Sequence, residues 1–309
     1  MVTMKDVAMM AGVSLGTVSN FINKTHPVST KKEKAILEAI RQLNYEVNDS
    51  AKNLRSKKTS EIGLVIPNVS DPYYQNVLRG AESYISSHGY TLALATTNND
   101  PALEKKIVKE LFRKQVAGLI VASCQPFGAE FYNSVLQKSE APIAFIDRKI
   151  TGVTGNFFGC NCRKSIFDFT RALIHENKSR ILFLSGPITF SDQEEAYEGY
   201  TGAFSSAGLA VDKNLVCFSI LNKEESFAQT LDLISKYPID AIVTTSEDMA
   251  LGALAAVDFY HPSNADSISV FSLGEDNWSN SFNQRITTSN RPAIRLGVEA
   301  ASAVCKQIS

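Results

Sequence analysis

The residues with the most recognisable chemistry stand near the N-terminus. Ser14, Leu15, Gly16, Thr17, Ser19, Asn20 and Asn23 are short and uncharged, and they fall along one predicted helix. Such residues suit a helix laid in a DNA major groove, where base edges offer donors, acceptors and thymine methyl groups. Catalytic patterns are missing by comparison. His26, His88, His175 and His261 do not cluster, no serine sits in a GxSxG setting, and there is no GxGxxG or Walker loop. This argues against an enzyme. The five cysteines, Cys124, Cys160, Cys162, Cys217 and Cys305, are odd in number and lack a CxxC pair. They read as reduced thiols, and Cys160-x-Cys162 reads as structural. Neither a metal nor a cofactor is expected.

The elements that must hold the N-terminal residues are two short helices and a tight turn. Thr3 caps the first helix, with Asp6 at capping-box spacing. Val7, Ala8 and Ala11 form its apolar face, and Gly12 supplies the left-handed residue of the turn. Val13 plugs the gap between the helices. Ser14 caps the second helix, whose Val18 and Ile22 point inward. A third helix opens at Ser29 or Thr30 and carries Ile36, Ala39, Ile40 and Leu43 as a stripe before Asn44-Tyr45 ends it. The spacing alone also fits a generic two-helix corner.

A chain of 309 residues, 44% hydrophobic and 20% charged, is an ordinary soluble composition with room for two or three domains. It contains no apolar run of membrane-crossing length and no signal-peptide pattern, so a cytoplasmic protein is expected. The net charge of −1 is unevenly spread. Residues 1–60 hold ten Lys and Arg against five acids, a balance of +5, which leaves −6 for the remainder. A basic head on an acidic body fits phosphate binding by the head alone.

From Glu61 the pattern becomes alternating strands and helices. Strands are predicted over 62–67, 91–97, 118–122 and 142–146, and again over 180–185, 215–220, 241–244 and 268–273. Helices are predicted over 71–87, 102–115, 167–176, 194–207, 227–236, 249–260 and about 295–307, with another between 122 and 142. The repetition predicts an α/β protein: an all-α head followed by two doubly wound parallel-sheet lobes. The cleft between lobes is expected near 147–163 and 288–292, with ligands outside the carboxyl ends of the strands.

Several motifs occur in fixed order: Asp6-Val-Ala-x-x-Ala-Gly-Val-Ser14-x-x-Thr-Val-Ser-x-x-x-Asn23, then Val28-Ser29, Leu43-Asn-Tyr45, and Asn48-x-x-Ala51-x-x-Leu54. The body adds Asp71-Pro-Tyr-Tyr74, Phe145-Ile-Asp-Arg148 and Asp248-x-x-x-Gly252. In these the chain resembles the lac repressor/galactose repressor family over about residues 3 to 307. The resemblance implies a helix-turn-helix domain over 1–46, a hinge helix and linker over 47–60, and a two-lobed, periplasmic-binding-protein-like effector-binding and dimerisation domain over 61–309. Lobe 1 would take about 61–160 plus 290–309, and lobe 2 about 161–289. Family members usually continue past the last helix, whereas this sequence stops at Ser309.

The resemblance further implies that Leu15, Gly16 and Asn20 face base edges. Thr3, Ser14, Thr17, Ser19 and Asn23 are expected on phosphates, with Ser29 also among the DNA-binding residues. The segment with Asn48, Ala51 and Leu54 would order on DNA, with Leu54 wedged into the minor groove. Val47 stands where the family often has proline. For the effector pocket the resemblance points to Tyr73, Tyr74, Asp147, Arg148, Asp192, Glu247, Asp248 and Arg291. Trp278 is equally able to stack on a sugar or to sit in a core. Three family positions differ: Ala196 for a common arginine, Glu247 for a common asparagine, and Gly274 for a common aspartate. The implied function is a DNA-binding transcription regulator, a repressor, working as a homodimer on a pseudo-palindromic operator in double-stranded DNA. A carbohydrate-like effector, whether a sugar, a sugar acid or a phosphosugar, would control it. The acidic options are motivated by Arg148 and Arg291. The alternative is a solute-binding protein of a sugar transporter, since two-lobed bodies also serve transporters.

Overall fold

The computed structural model describes the chain except residues 1, 24, 46–58, 126–127, 154, 219, 221, 261–267, 275–284 and 309. It divides into two compact units, Met1–Lys58 and Thr59–Ser309.

The first unit holds three helices: α1 (Met4–Met10), α2 (Leu15–Asn23) and α3 (Thr30–Gln42). The expected capping box forms, with the Thr3 N–H donating to Asp6 Oδ2 at 2.8 Å. Gly12 takes φ +63, so the chain turns there without strain. Ser14 caps α2 by accepting from the Thr17 N–H at 3.2 Å. Val7, Ala8, Val18, Ile36, Ala39 and Tyr45 form a small core where the three apolar stripes meet.

The second unit contains two parallel sheets. The first comprises β1 (Glu61–Ile66), β2 (Thr91–Thr96), β3 (Gly118–Val121), β4 (Ile143–Ile146) and β5 (Asn156–Phe158), in the order β2-β1-β3-β4-β5. Its helices are α4 (Pro72–Ser87), α5 (Pro101–Arg113) and α6 (Ala129–Lys138). The chain then crosses to lobe 2, which begins with α7 (Cys162–His175). There β6 (Ile181–Leu184), α8 (Ser191–Ser206), β7 (Val216–Cys217), α9 (Lys223–Lys236), β8 (Ala241–Thr244), α10 (Glu247–Tyr260), β9 (Ser269–Gly274) and β10 (Ile286–Asn290) follow in turn. The strand order β10-β9-β8-β6-β7 repeats the first winding. After β10 the chain crosses back, and α11 (Ala293–Ile308) buries Leu296, Ala300, Ala301 and Val304 against lobe 1.

The central strands are buried from end to end, as parallel strands covered on both faces must be. The sequence expectations fail at sheet edges. In place of the strand expected over 215–220 there is a 3-10 turn, Lys213–Leu215, followed by a two-residue strand, Val216–Cys217, in register with Phe183 and Leu184. Strands β5 and β10 were not expected. Each lies at an edge, where one neighbour suffices and no continuous apolar run is required. Helix α7 starts at Cys162 rather than 167, because the Asn161 side chain caps it by accepting from the Lys164 N–H at 2.9 Å.

Candidate nucleic-acid interface and ligand cleft

In the head, α2 presents one side to solvent and buries the other. Val18 is fully buried, and Phe21 and Ile22 pack on the core. Leu15 is 43% exposed, Ser14 and Gly16 are exposed, and Thr17, Ser19 and Asn20 are half-buried. Ser14 Oγ and Thr17 Oγ1 lie 2.9 Å apart, and Asn20 Oδ1 accepts from Thr25 Oγ1 at 3.0 Å. Thr3 and Ser29 are exposed at the N-terminal ends of α1 and α3. Helix N-terminal ends carry partial positive charge, which suits phosphate. Asn23 closes α2, but its side chain lies outside the described residues, as do Asn48, Ala51 and Leu54.

In the body, a cavity of about 260 Å³ opens between the lobes at the carboxyl ends of both sheets. Its wall includes Tyr74, Asp147, Arg148, Asp192, Asp248 and Arg291. Asp147 follows β4 and takes φ +67, a left-handed conformation open to Asp at a cost. That conformation delivers its carboxylate to the start of α4. Tyr73 Oη donates to Asp147 Oδ1 at 3.1 Å, and Tyr74 Oη donates to Oδ2 at 3.0 Å. Burial pushes both phenols well above their ordinary pKa, so both remain donors.

Arg291, at the crossing after β10, donates to Asp147 Oδ1, the oxygen shared with Tyr73, and lays its guanidinium 3.8 Å from the Tyr73 ring centre. Arg291 is 6% and Asp147 5% exposed, so this ion pair is dry. Arg148 stacks on Phe190 at 4.0 Å, donates to Asn99 Oδ1 at 2.7 Å, and holds its Nε 3.8 Å from Asp192 Oδ1. Arg291 lies 3.8 Å from Asp192 Oδ2. Two arginines and two aspartates thus form a quartet that spans the lobes. Beside it the Lys149 N–H donates to Ser191 Oγ at 2.6 Å.

Tyr73, Tyr74, Asp147, Arg148, Asp192 and Arg291 are therefore brought together as one cluster. Glu247 sits apart from it, buried against Gly274. A Cβ at position 274 would stand 2.3 Å from Glu247 Oε1. The two departures are coupled. Glycine at 274 vacates the space that the longer carboxylate at 247 fills. Ala196 lies in the lobe 2 core, so no cation enters the cleft from that turn of α8. Trp278 lies outside the described residues. Sequence reasoning missed Gln193, whose Oε1 accepts from Ser185 Oγ, the Gly186 N–H and Thr245 Oγ1, and it missed Phe190 and Asn99. Their roles depend on loop geometry that no local pattern signals.

Residues 3–48 match the model for bacterial regulatory proteins of the lacI family, and 59–308 match the model for periplasmic binding proteins and the sugar binding domain of the LacI family. The chain belongs to the lacI family. It is thus a helix-turn-helix transcription regulator with a ligand-binding body. The match over the head leaves the transporter alternative without support.

Its relatives include the HTH-type transcriptional repressor PurR of Histophilus somni strain 2336, 29% identical over 310 residues and covering 100% of this chain and 93% of the relative. The PurR repressor of Haemophilus influenzae strain PittEE is 28% identical, over 100% and 92%. These relatives have a non-enzymatic role. Similar in fold are a lac repressor dimer bound to operator and the anti-inducer ONPF (TM-score 0.86, 21% identity, 99% and 92% covered) and a CelR–cellobiose complex (TM-score 0.70, 23% identity, 100% and 93%). Among the described residues of this lacI-family chain, no helix is long and apolar enough to cross a membrane.

Proposed function

We propose that the protein is a cytoplasmic transcriptional repressor that binds a pseudo-palindromic operator as a homodimer and is controlled by a small effector between its lobes. The observation that carries this reading is a lacI-type head with the exposed Leu15–Asn20 face, in one chain with a two-lobed body whose cleft is lined by convergent polar groups. Named PurR repressors among its relatives and an operator-bound lac repressor dimer among its fold neighbours support it.

In this reading Asn20 supplies direct hydrogen bonding to a base edge and Leu15 contacts a thymine methyl group. Thr3, Ser14, Thr17, Ser19, Asn23 and Ser29 hold phosphates and set the register. Residues 47–60 link head and body, and Leu54 with Asn48 and Ala51 enters the minor groove at a flexible central step. Unstacking that step costs roughly a few kcal/mol, offset by the added contacts of bent DNA. A two-fold site requires a two-fold protein, hence the dimer. The effector acts through differential affinity for two lobe arrangements, which decide whether both heads engage at once.

Selection of bound sites from a random DNA pool at moderate salt tests the reading. The expected product is a pseudo-palindrome with a pyrimidine–purine step at its centre, and L54A should lose the preference for that step. Recovery of only unsequenced, salt-sensitive binding, with or without added metabolites, would refute it.

A further inference from the structure

The charges that line the cleft do not balance. Among the described wall residues, Asp71, Asp147, Asp192 and Asp248 face Arg148 and Arg291, a surplus of two negative charges. Both guanidiniums are engaged through their terminal nitrogens by Asn99 and Asp147 and lie 3.8 Å from Asp192 oxygens, while the buried Nε of each has no hydrogen-bond partner among the described residues. An incoming anion would have to compete with carboxylates for these cations.

The carboxylates are less completely used. Asp71 caps α4 through Oδ1, which accepts from the Tyr73 N–H at 2.9 Å, and its Oδ2 has no partner among the described residues. Asp248, in the first turn of α10, has no hydrogen-bond partner among the described residues and remains partly open. These two acids belong to opposite lobes and line one cavity. Burial, with the charges of Asp248 and Asp147 adding to it, pushes the Asp71 carboxyl up to about 6, against the Tyr73 N–H and Arg291. Burial also raises Asp248.

An independent observation marks the same wall. Asp192 is 5% exposed, yet among the described residues its Oδ1 accepts no hydrogen bond; Arg148 Nε, 3.8 Å away, and Arg291 Nε are likewise buried without a partner there. A carboxylate oxygen out of water and without a donor costs free energy until a ligand supplies one. The cavity of about 260 Å³ falls just below the roughly 300 to 1,000 Å³ of sites for drug-sized ligands, which suits a molecule of monosaccharide scale.

We propose that the effector is a cation, a hydroxylated amine of about hexosamine size, with its ammonium held between Asp71 of lobe 1 and Asp248 of lobe 2. This rests on the reading of the cleft as the effector site. It also supplies a physical basis for coupling. Two carboxylates on facing lobes repel, and a cation placed between them removes that repulsion only when the lobes are together. The ligand therefore binds the closed arrangement better than the open one, which is what a population shift requires.

The test uses the full chain at pH 7 and follows its thermal unfolding midpoint with matched probes: glucosamine and galactosamine, glucose and galactose, glucuronate and galacturonate. Binding to the folded state raises the midpoint with ligand concentration. At least one amine should bind about tenfold or more tightly than its neutral partner, and the acids more weakly still. D71N, which preserves the cap, and D248N should each remove most of the amine preference while unfolding cooperatively without ligand. Equal or tighter binding of a neutral or acidic probe, a preference that survives both substitutions, or no stabilisation by any amine would overturn the proposal. A neutral hexose that both binds and releases the selected DNA would overturn the cation while leaving the effector cleft in place. Amine binding that is lost in both variants but never alters DNA affinity would keep the cation site and remove its effector role.

Discussion

Asp147 and Arg291 form a dry, directly hydrogen-bonded ion pair in the cleft, and their worth lies in matching each other. Burying two charges gains little over apolar packing, but removing one partner strands the other in low dielectric. The Asp147 carboxylate would keep its two tyrosine donors without Arg291, and lose its counter-charge. R291Q is therefore expected to destabilise the body by about 3 kcal/mol, read as a lower midpoint in urea unfolding. An unchanged midpoint would mean that water enters the pair freely. Glu247 and Gly274 show the same logic at a neighbouring position. The Glu247 carboxylate, on the first residue of α10, lies against the end of β9, and the bare Cα of Gly274 makes the room.

Helix pairs in the body meet through glycine. A Cβ on Gly80 or Gly297 would strike the partner backbone where α4 and α11 pack, at 2.1 Å from the Ile294 carbonyl oxygen and 2.2 Å from that of Val77. The same contact occurs at Gly252 of α10 against Lys223, and at Gly199 of α8 against Arg163. In α8 the spacing offers an internal control. A Cβ on Gly199 would stand 2.3 Å from the Arg163 carbonyl oxygen, whereas one on Gly202 would make only an ordinary 3.5 Å contact with Phe167. G199A should cost about 1–3 kcal/mol by forcing the helices apart. G202A should stabilise by about 0.5–1 kcal/mol through helix propensity. Calorimetric midpoints of the two variants on either side of wild type would verify this. A shift in the same direction for both would refute it.

Across the whole chain the charge is divided by task. A head of +5 and a body of −6 place phosphate attraction in the first 60 residues only. DNA affinity should fall at least about a thousandfold between roughly 50 and 200 mM salt as counterions return to the phosphates. Effector affinity, set in a partly buried cleft, should change far less. Fluorescence anisotropy with the selected DNA and calorimetry with the effector would compare the two slopes, and parallel slopes would contradict the division.

What the sequence determined by itself is whatever rests on neighbours in the chain. The Thr3–Asp6 box, the Gly12 turn and the Val18–Ile22 face depend on contacts within a few residues, so their spacing is visible directly. The central strands are visible because burial on both faces demands continuous apolar runs. Only the tertiary structure decided the edge strands, where a single hydrogen-bonded neighbour replaces the apolar requirement. It also decided the chemistry of the cleft. Arg148 and Arg291 read from sequence as anchors for an acid, but Asp147 and Asp192 reach them across the fold and neutralise them. Asp71 and Asp248, 177 positions apart, become facing charges only when the two windings close on one cavity. Charge balance depends on distance in space, and distance along the chain does not report it.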